Sequence, residues 1–175
     1  PDVEIHLVGH SAGSILLGHL LDLLAPKQLE VASCSLFAPA CTVAFALNHY
    51  VPAVEAATLP KSALHIHLLS NRRELDDTVG PYQKSLLYLV SRALEADHKT
   101  PILGLANVFN PKQNNDWHDR AQPRSLPRWQ TFWGAANQNL QVFVLGIGFR
   151  LQASEPLRHV QARSEQDPVG PFQRR

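Results

Sequence analysis

Residues 3–13 constrain this chain more than any other stretch. A β-rich run, 3–8, meets Gly9-His10-Ser11-Ala12-Gly13, and a leucine-rich helical pattern follows at once. A strand that passes into a helix with no linker needs small residues where the two cross. Glycine at both ends of the turn removes the Cβ atoms expected to collide there. The order predicted is strand, sharp turn, helix, with the serine at the apex in strained backbone and its hydroxyl pushed out over the strand ends.

The segment reads G-x-S-x-G, the nucleophile-elbow pattern. Such a pattern arises by chance in many chains, so its weight comes from its placement between strand and helix. The plainer role for Ser11 is that of a serine at a helix N-terminus; the elbow context favours a nucleophile.

At 175 residues the chain has the length of one domain, and 45% hydrophobic with 18% charged residues excludes a disordered chain. A net charge of +1 gives no field that would drive binding to nucleic acid or an anionic membrane. Cys34 and Cys41 both lie in an apolar stretch, which argues against a disulfide framework and for a reducing cytoplasm. No apolar run reaches the length of a membrane span and residues 1–4 do not open a signal peptide, so a soluble, cytoplasmic protein is expected. Methionine is absent throughout, position 1 included, and the chain starts directly before a strand. It therefore reads as part of a longer protein.

Along the chain, a helix buried on most faces is predicted over 12–24, stopped by Pro26, then a central strand over 30–37. A second helix is predicted over 42–57, with Thr42 as N-cap and Pro52 as a kink or break. A strand over 62–70 alternates Leu64, Ile66 and Leu68 with His65 and His67, and a polar loop over 71–81 follows. An amphipathic helix is predicted over 85–96, with Leu86, Leu87, Leu89, Val90, Ala93 and Leu94 inward and Lys84, Arg92 and Glu95 outward. Residues 102–109 read as a short strand or a loop tucking apolar groups, 110–127 as a surface insertion, and 140–149 as a long last strand. Trp129 and Trp133 are expected in the core rather than along an acyl pocket. Neither an internal repeat nor a second domain boundary is evident.

This alternation predicts an α/β fold, a mostly parallel sheet flanked by helices, with reactive groups gathered at the carboxyl ends of the strands. The candidates there are Ser11 after the first strand, Asp76 and Asp77 after the third, and His159 after the last. A serine hydroxyl is almost unreactive at neutral pH until an imidazole takes its proton and a carboxylate orients that imidazole. The Ala12 N–H, next after the serine, is placed to meet charge on the attacked carbonyl oxygen. His10 is expected to pack beside the turn. His65 and His67 have a spacing metals use but no Cys, Asp or Glu nearby, so core or helix-facing positions are expected for them. Gly146 and Gly148 precede no helix and carry little weight as a nucleotide motif. No cofactor or metal is implied.

These residues resemble the α/β-hydrolase superfamily of serine esterases, lipases, thioesterases and peptidases, whose triad runs Ser, Asp or Glu, His. The resemblance is greatest to uncharacterised bacterial α/β-hydrolases, through Gly9-His10-Ser11-Ala12-Gly13-Ser14-Ile15, Leu36-Phe37-Ala38-Pro39-Ala40 and Asp77-Thr78-Val79-Gly80-Pro81. It implies the C-terminal part of such a domain over 1–163, starting at the elbow strand. It also implies a small-molecule ester, thioester or amide as substrate, hydrolysed through an acyl-enzyme on Ser11.

The chain departs from that pattern in three ways. The strands and oxyanion loop that would precede the elbow are not in this chain, which leaves a parallel sheet edge exposed. Asn71, at a natural seat for the acid, cannot ionise, so Asp76 or Asp77 must serve. Residues 164–175 are atypical and expected to be disordered; a shifted frame or truncation near 164 would account for them and would cost the chain its histidine. The competing expectation is a non-catalytic fragment or pseudo-hydrolase interaction domain.

Overall fold

The computed structural model describes residues 3–77, 79–134 and 138–143, and the backbone of 148–150. In chain order, β1 (His6–His10) leads into α1 (Gly13–Leu24), β2 (Ser33–Phe37) into α2 (Val43–Glu55), and β3 (Leu64–Leu69) into the short helices α3 (Asn71–Asp76) and α4 (Leu86–Leu89). The helix α5 (Ser125–Trp133) precedes β4 (Leu140–Phe143) and β5 (Gly148–Arg150). The sheet order is β1-β2-β3-β4-β5, parallel from β1 to β4 and antiparallel at β5. The predicted α/β class is the observed one. Residues 140–149, read as one strand, instead contribute to two antiparallel strands, β4 and β5.

Strand order follows chain order, so right-handed crossovers carry the successive connections to one face of the sheet. There α1 packs on α2 and α2 on α5. Leu7, Cys34, Leu36, Leu64, Ile66 and Leu68 point into this layer and are buried. The strands alternate as period-two residues must. The opposite face carries His6, Val8 and His10, all exposed, with Ser33, Ser35, His65 and His67 half-buried beside them. His65 and His67 are thus half-buried on the face away from α1 and α2, rather than in the core. His67 stacks on Phe37, ring centroids 4.3 Å apart, and hydrogen-bonds Gln141 through Nδ1 at 2.8 Å.

Local chemistry explains where the helices differ from expectation. Thr42 caps α2 by accepting from the Phe45 N–H, and Pro52 lies inside the helix without breaking it. α1 is more open than predicted: Ser14, Leu17, Gly18 and Leu21 are buried, while Leu16 and Leu23 are 71% and 62% exposed. Residues 71–76 form α3 rather than loop, because the Ser70 hydroxyl accepts from the Arg73 N–H. The predicted helix over 85–96 is a single α turn continued by a π turn at Val90–Leu94. Its buried side is Leu87, Tyr88 and Ser91, whereas Leu86 and Leu94 are exposed.

Residues 102–109 tuck Ile102, Leu103, Leu105 and Val108 into the core, beginning at an antiparallel bridge from Thr42 to Ile102. Between 110 and 127, Pro111–Asp116 forms a 3-10 helix, Trp117 is buried, and Asp119 accepts from the Ser125 hydroxyl and the Leu126 N–H at 2.8 Å each. That carboxylate does the capping that Arg124 cannot. No helix among the described residues is long and apolar enough to cross a membrane.

Trp129 is fully buried and stacks on Trp133 with centroids 5.6 Å apart, so the aromatic cluster is core as the sequence suggested. Trp129→Ala should lower unfolding stability by about 3–5 kcal/mol in urea; an unchanged midpoint would place the ring outside the cooperative core.

Candidate active site at the first strand-to-helix turn

The turn between β1 and α1 holds Ser11 at φ 51°, a left-handed conformation that costs a non-glycine residue about 1–2 kcal/mol. Its neighbours hold it there. The Ser11 N–H donates to the Phe37 carbonyl at 2.9 Å, tying the turn to the end of β2. The Ser11 carbonyl accepts from the Ser14 N–H at 3.1 Å, the Ser14 hydroxyl at 2.8 Å and the Ala40 N–H at 3.0 Å. Ser14 is fully buried; its hydroxyl also accepts from the Cys41 N–H at 3.2 Å, and its carbonyl accepts from the Tyr50 hydroxyl at 2.6 Å. Sequence reasoning gave neither Ser14 nor Tyr50 a role at this turn. The signal available was a serine three residues after Ser11 on the inward face of α1.

Of the two glycines, Gly9 has the predicted steric role and Gly13 does not. A Cβ at Gly9 would lie 2.8 Å from Leu17 Cδ1 and 3.2 Å from the Gly13 carbonyl carbon, whereas one at Gly13 would meet nothing within 4 Å. The close crossing therefore demands glycine only on the strand side. Next to the turn, Ala38 at the end of β2 is also left-handed, φ 43°. Two strained residues thus sit side by side at the carboxyl ends of neighbouring parallel strands.

Ala12 is the N-cap of α1. The first donors of the helix run from Ser14 to Ser11 and from Ile15 to Ala12, so the Ala12 N–H precedes the ladder and has no backbone acceptor among the described residues. Ser11 is half-buried and its hydroxyl makes no hydrogen bond among the described residues. His10 is exposed on the open sheet face, in register with Phe37.

The acids stand on α3. Asp76 is exposed and pairs with Arg72 Nε at 3.5 Å, one turn back. Asp77 ends the helix, exposed, with its N–H donated to the Arg73 carbonyl. Asn71 takes a hydrogen bond from the Tyr88 hydroxyl instead of serving as an acid. Glu74, not singled out from the sequence, is the buried carboxylate here. Burial raises its pKa, the Ser85 hydroxyl partly offsets this, and Asp77 adds to the rise. His159 lies outside the described residues, as do 164–175.

One cleft is lined by Thr42, Asp97, His118, Arg120 and Ser125, and another, at the amino-terminal ends of the strands, by Val3, Glu30, Val31 and Pro60. Ser11 lines neither.

Cys34 and Cys41 are free and buried. Burial pushes both thiols from 9.0 to about 12; Cys41 adds to the rise at Cys34, and the Ser14 hydroxyl moderates it at Cys41. The folded chain keeps protons that the unfolded chain releases, so these groups favour folding fully below about pH 9 and lose that contribution as pH rises toward about 12. Urea midpoints should fall across that window, and alkylation of either thiol should require unfolding. Rapid alkylation of the folded chain would contradict their burial. Ser14→Ala should cost about 1–3 kcal/mol, because it leaves the Cys41 N–H unpaired, and Tyr50→Phe about 1 kcal/mol. Unchanged urea midpoints in both would show that the clamp does not hold the turn. No known protein family, curated protein or solved structure matches this chain.

Proposed function

We propose that Ser11 is the nucleophile of a serine hydrolase acting on an ester, thioester or amide. The observation that carries this reading is the left-handed backbone at Ser11, set between a parallel strand and a helix. Strained non-glycine residues persist where the surroundings over-determine them, and they concentrate at functional sites. Attack by the Ser11 hydroxyl on the carbonyl carbon would form an acyl-enzyme and expel the alcohol, thiol or amine. The Ala12 N–H would take the charge on the carbonyl oxygen. His159 is the proposed base, with Asp76 or Asp77 orienting it.

In this reading the chain is an α/β-hydrolase-like catalytic segment, and its two free, buried cysteines support a cytoplasmic setting. A fluorophosphonate probe should label the chain at Ser11, and Ser11→Ala should abolish labelling. Labelling that survives the substitution removes Ser11 from the mechanism.

A second reading is a non-catalytic interaction domain that keeps the hydrolase architecture. It is favoured by Asp76 facing solvent with Arg72 and by the unpartnered Ser11 hydroxyl among the described residues. Turnover of short-chain nitrophenyl esters by the purified chain, lost in Ser11→Ala, would eliminate it.

A further inference from the structure

Away from Ser11, α2 packs tightly over Gly18 of α1, where an added Cβ would lie 2.5 Å from the Phe45 ring and 3.2 Å from His49 Cβ. That approach sets three ligand-type side chains facing one another: His19 and Asp22, one turn apart on α1, and His49 on α2. His49 Nδ1 lies 2.7 Å from Asp22 Oδ2, and His19 Nδ1 lies 3.8 Å from the same oxygen. One ligand atom from each falls within 4.8 Å of the others, and no other such group of three occurs among the described residues. The two imidazoles meet edge to face, centroids 4.7 Å apart. Phe45 packs against both, at 3.9 Å from His49 and 5.3 Å from His19, restricting the rings from the apolar side.

We propose that His19, Asp22 and His49 form a binding site for a divalent transition-metal ion of the zinc type, bridging α1 to α2. Metal–nitrogen and metal–oxygen bonds of about 2.0–2.2 Å at tetrahedral angles put ligand atoms roughly 3.3–3.6 Å apart. The two separations from Asp22 Oδ2, 2.7 and 3.8 Å, bracket that range, and the three ligand atoms lie within 4.8 Å of one another, so rotation of the half-exposed His19 side chain is what would close the set around an ion. Two imidazoles with one carboxylate select zinc, copper or nickel over magnesium or calcium, which prefer all-oxygen cages. Binding at His49 Nδ1 replaces its hydrogen bond to Asp22. The proton moves to Nε2, and the carboxylate oxygen it leaves becomes a ligand. Side-chain exposures of 60% at His19, 43% at Asp22 and 19% at His49 leave the fourth position to water and open the site to ions in solution. The site would fasten α2 to the helix that follows Ser11, whatever reaction that serine performs.

The test uses the full 175-residue chain, freed of metal with a chelator and titrated with Zn²⁺ by calorimetry and with Co²⁺ by absorption. The expected result is one ion per chain, tetrahedral Co²⁺ bands, and a thermal midpoint that rises with Zn²⁺. His19→Ala and His49→Ala should each weaken binding by at least the ~10-fold that losing a mere supporting partner of a metal ligand costs. The double substitution of His65 and His67 by alanine should leave it unchanged. In the unsubstituted chain, Zn²⁺ should shift the ring resonances of His19 and His49 before those of the other histidines, a readout that does not depend on any variant folding. Absence of binding, binding that survives both single substitutions, or first shifts at other rings would overturn the proposal.

Discussion

The Ser11 carbonyl oxygen, accepting from two groups of Ser14 and from the Ala40 N–H, is the contact on which the rest of this structure turns. It joins β1, α1 and the end of β2 at one atom. Each such bond contributes about 0.5–1.5 kcal/mol net, so three together can offset the about 1–2 kcal/mol that left-handed backbone costs at Ser11. Because Ser14 is fully buried and reaches Cys41 and Tyr50 as well, the clamp extends from the turn to the second turn of α2. A chain lacking it would have no reason to hold Ser11 away from ordinary helical geometry.

The same turn sets which face of the sheet α1 and α2 cover. Gly9 admits Leu17 of α1, and the crossovers that follow keep to that face, giving a core built on Leu36, Ile66 and Trp129. On the other face His10, Phe37, His67 and Gln141 stand in register across four strands. Their chemistry is polar and aromatic rather than aliphatic. His67 is held there by Phe37 and Gln141, with burial lowering its pKa against the opposing hydrogen bond. This face brings imidazoles close to the strand ends without directing one onto Ser11 among the described residues.

The α/β alternation was legible in the sequence because the periods change cleanly: two in β3, helical density in α1, a threonine cap at α2. The strand-to-helix turn was legible because Gly9, Ser11 and Gly13 fall at alternate positions between the β-rich run and the leucine-rich one. What escaped was long-range or cap-driven. Ser70 turns an apparently polar loop into α3, and Asp119 supplies a cap for α5 from six residues away. The burial of Glu74 and the Ser14 clamp depend on partners 11 to 36 residues distant in sequence, which no local pattern encodes. His19, Asp22 and His49 come together only because Gly18 lets two helices touch. Asp76 was readable as an acid, but its pairing with Arg72 on an exposed helix end was not.

Ser11 is held in left-handed backbone rather than at the ordinary start of a helix, and urea unfolding of Ser11→Gly beside Ser11→Ala tests this most directly. Both substitutions remove the hydroxyl, but only glycine relieves the strain, so at a left-handed position the glycine variant should be the more stable by about 1 kcal/mol. An alanine variant that equals or exceeds it, the order expected in a regular helix, would contradict the account.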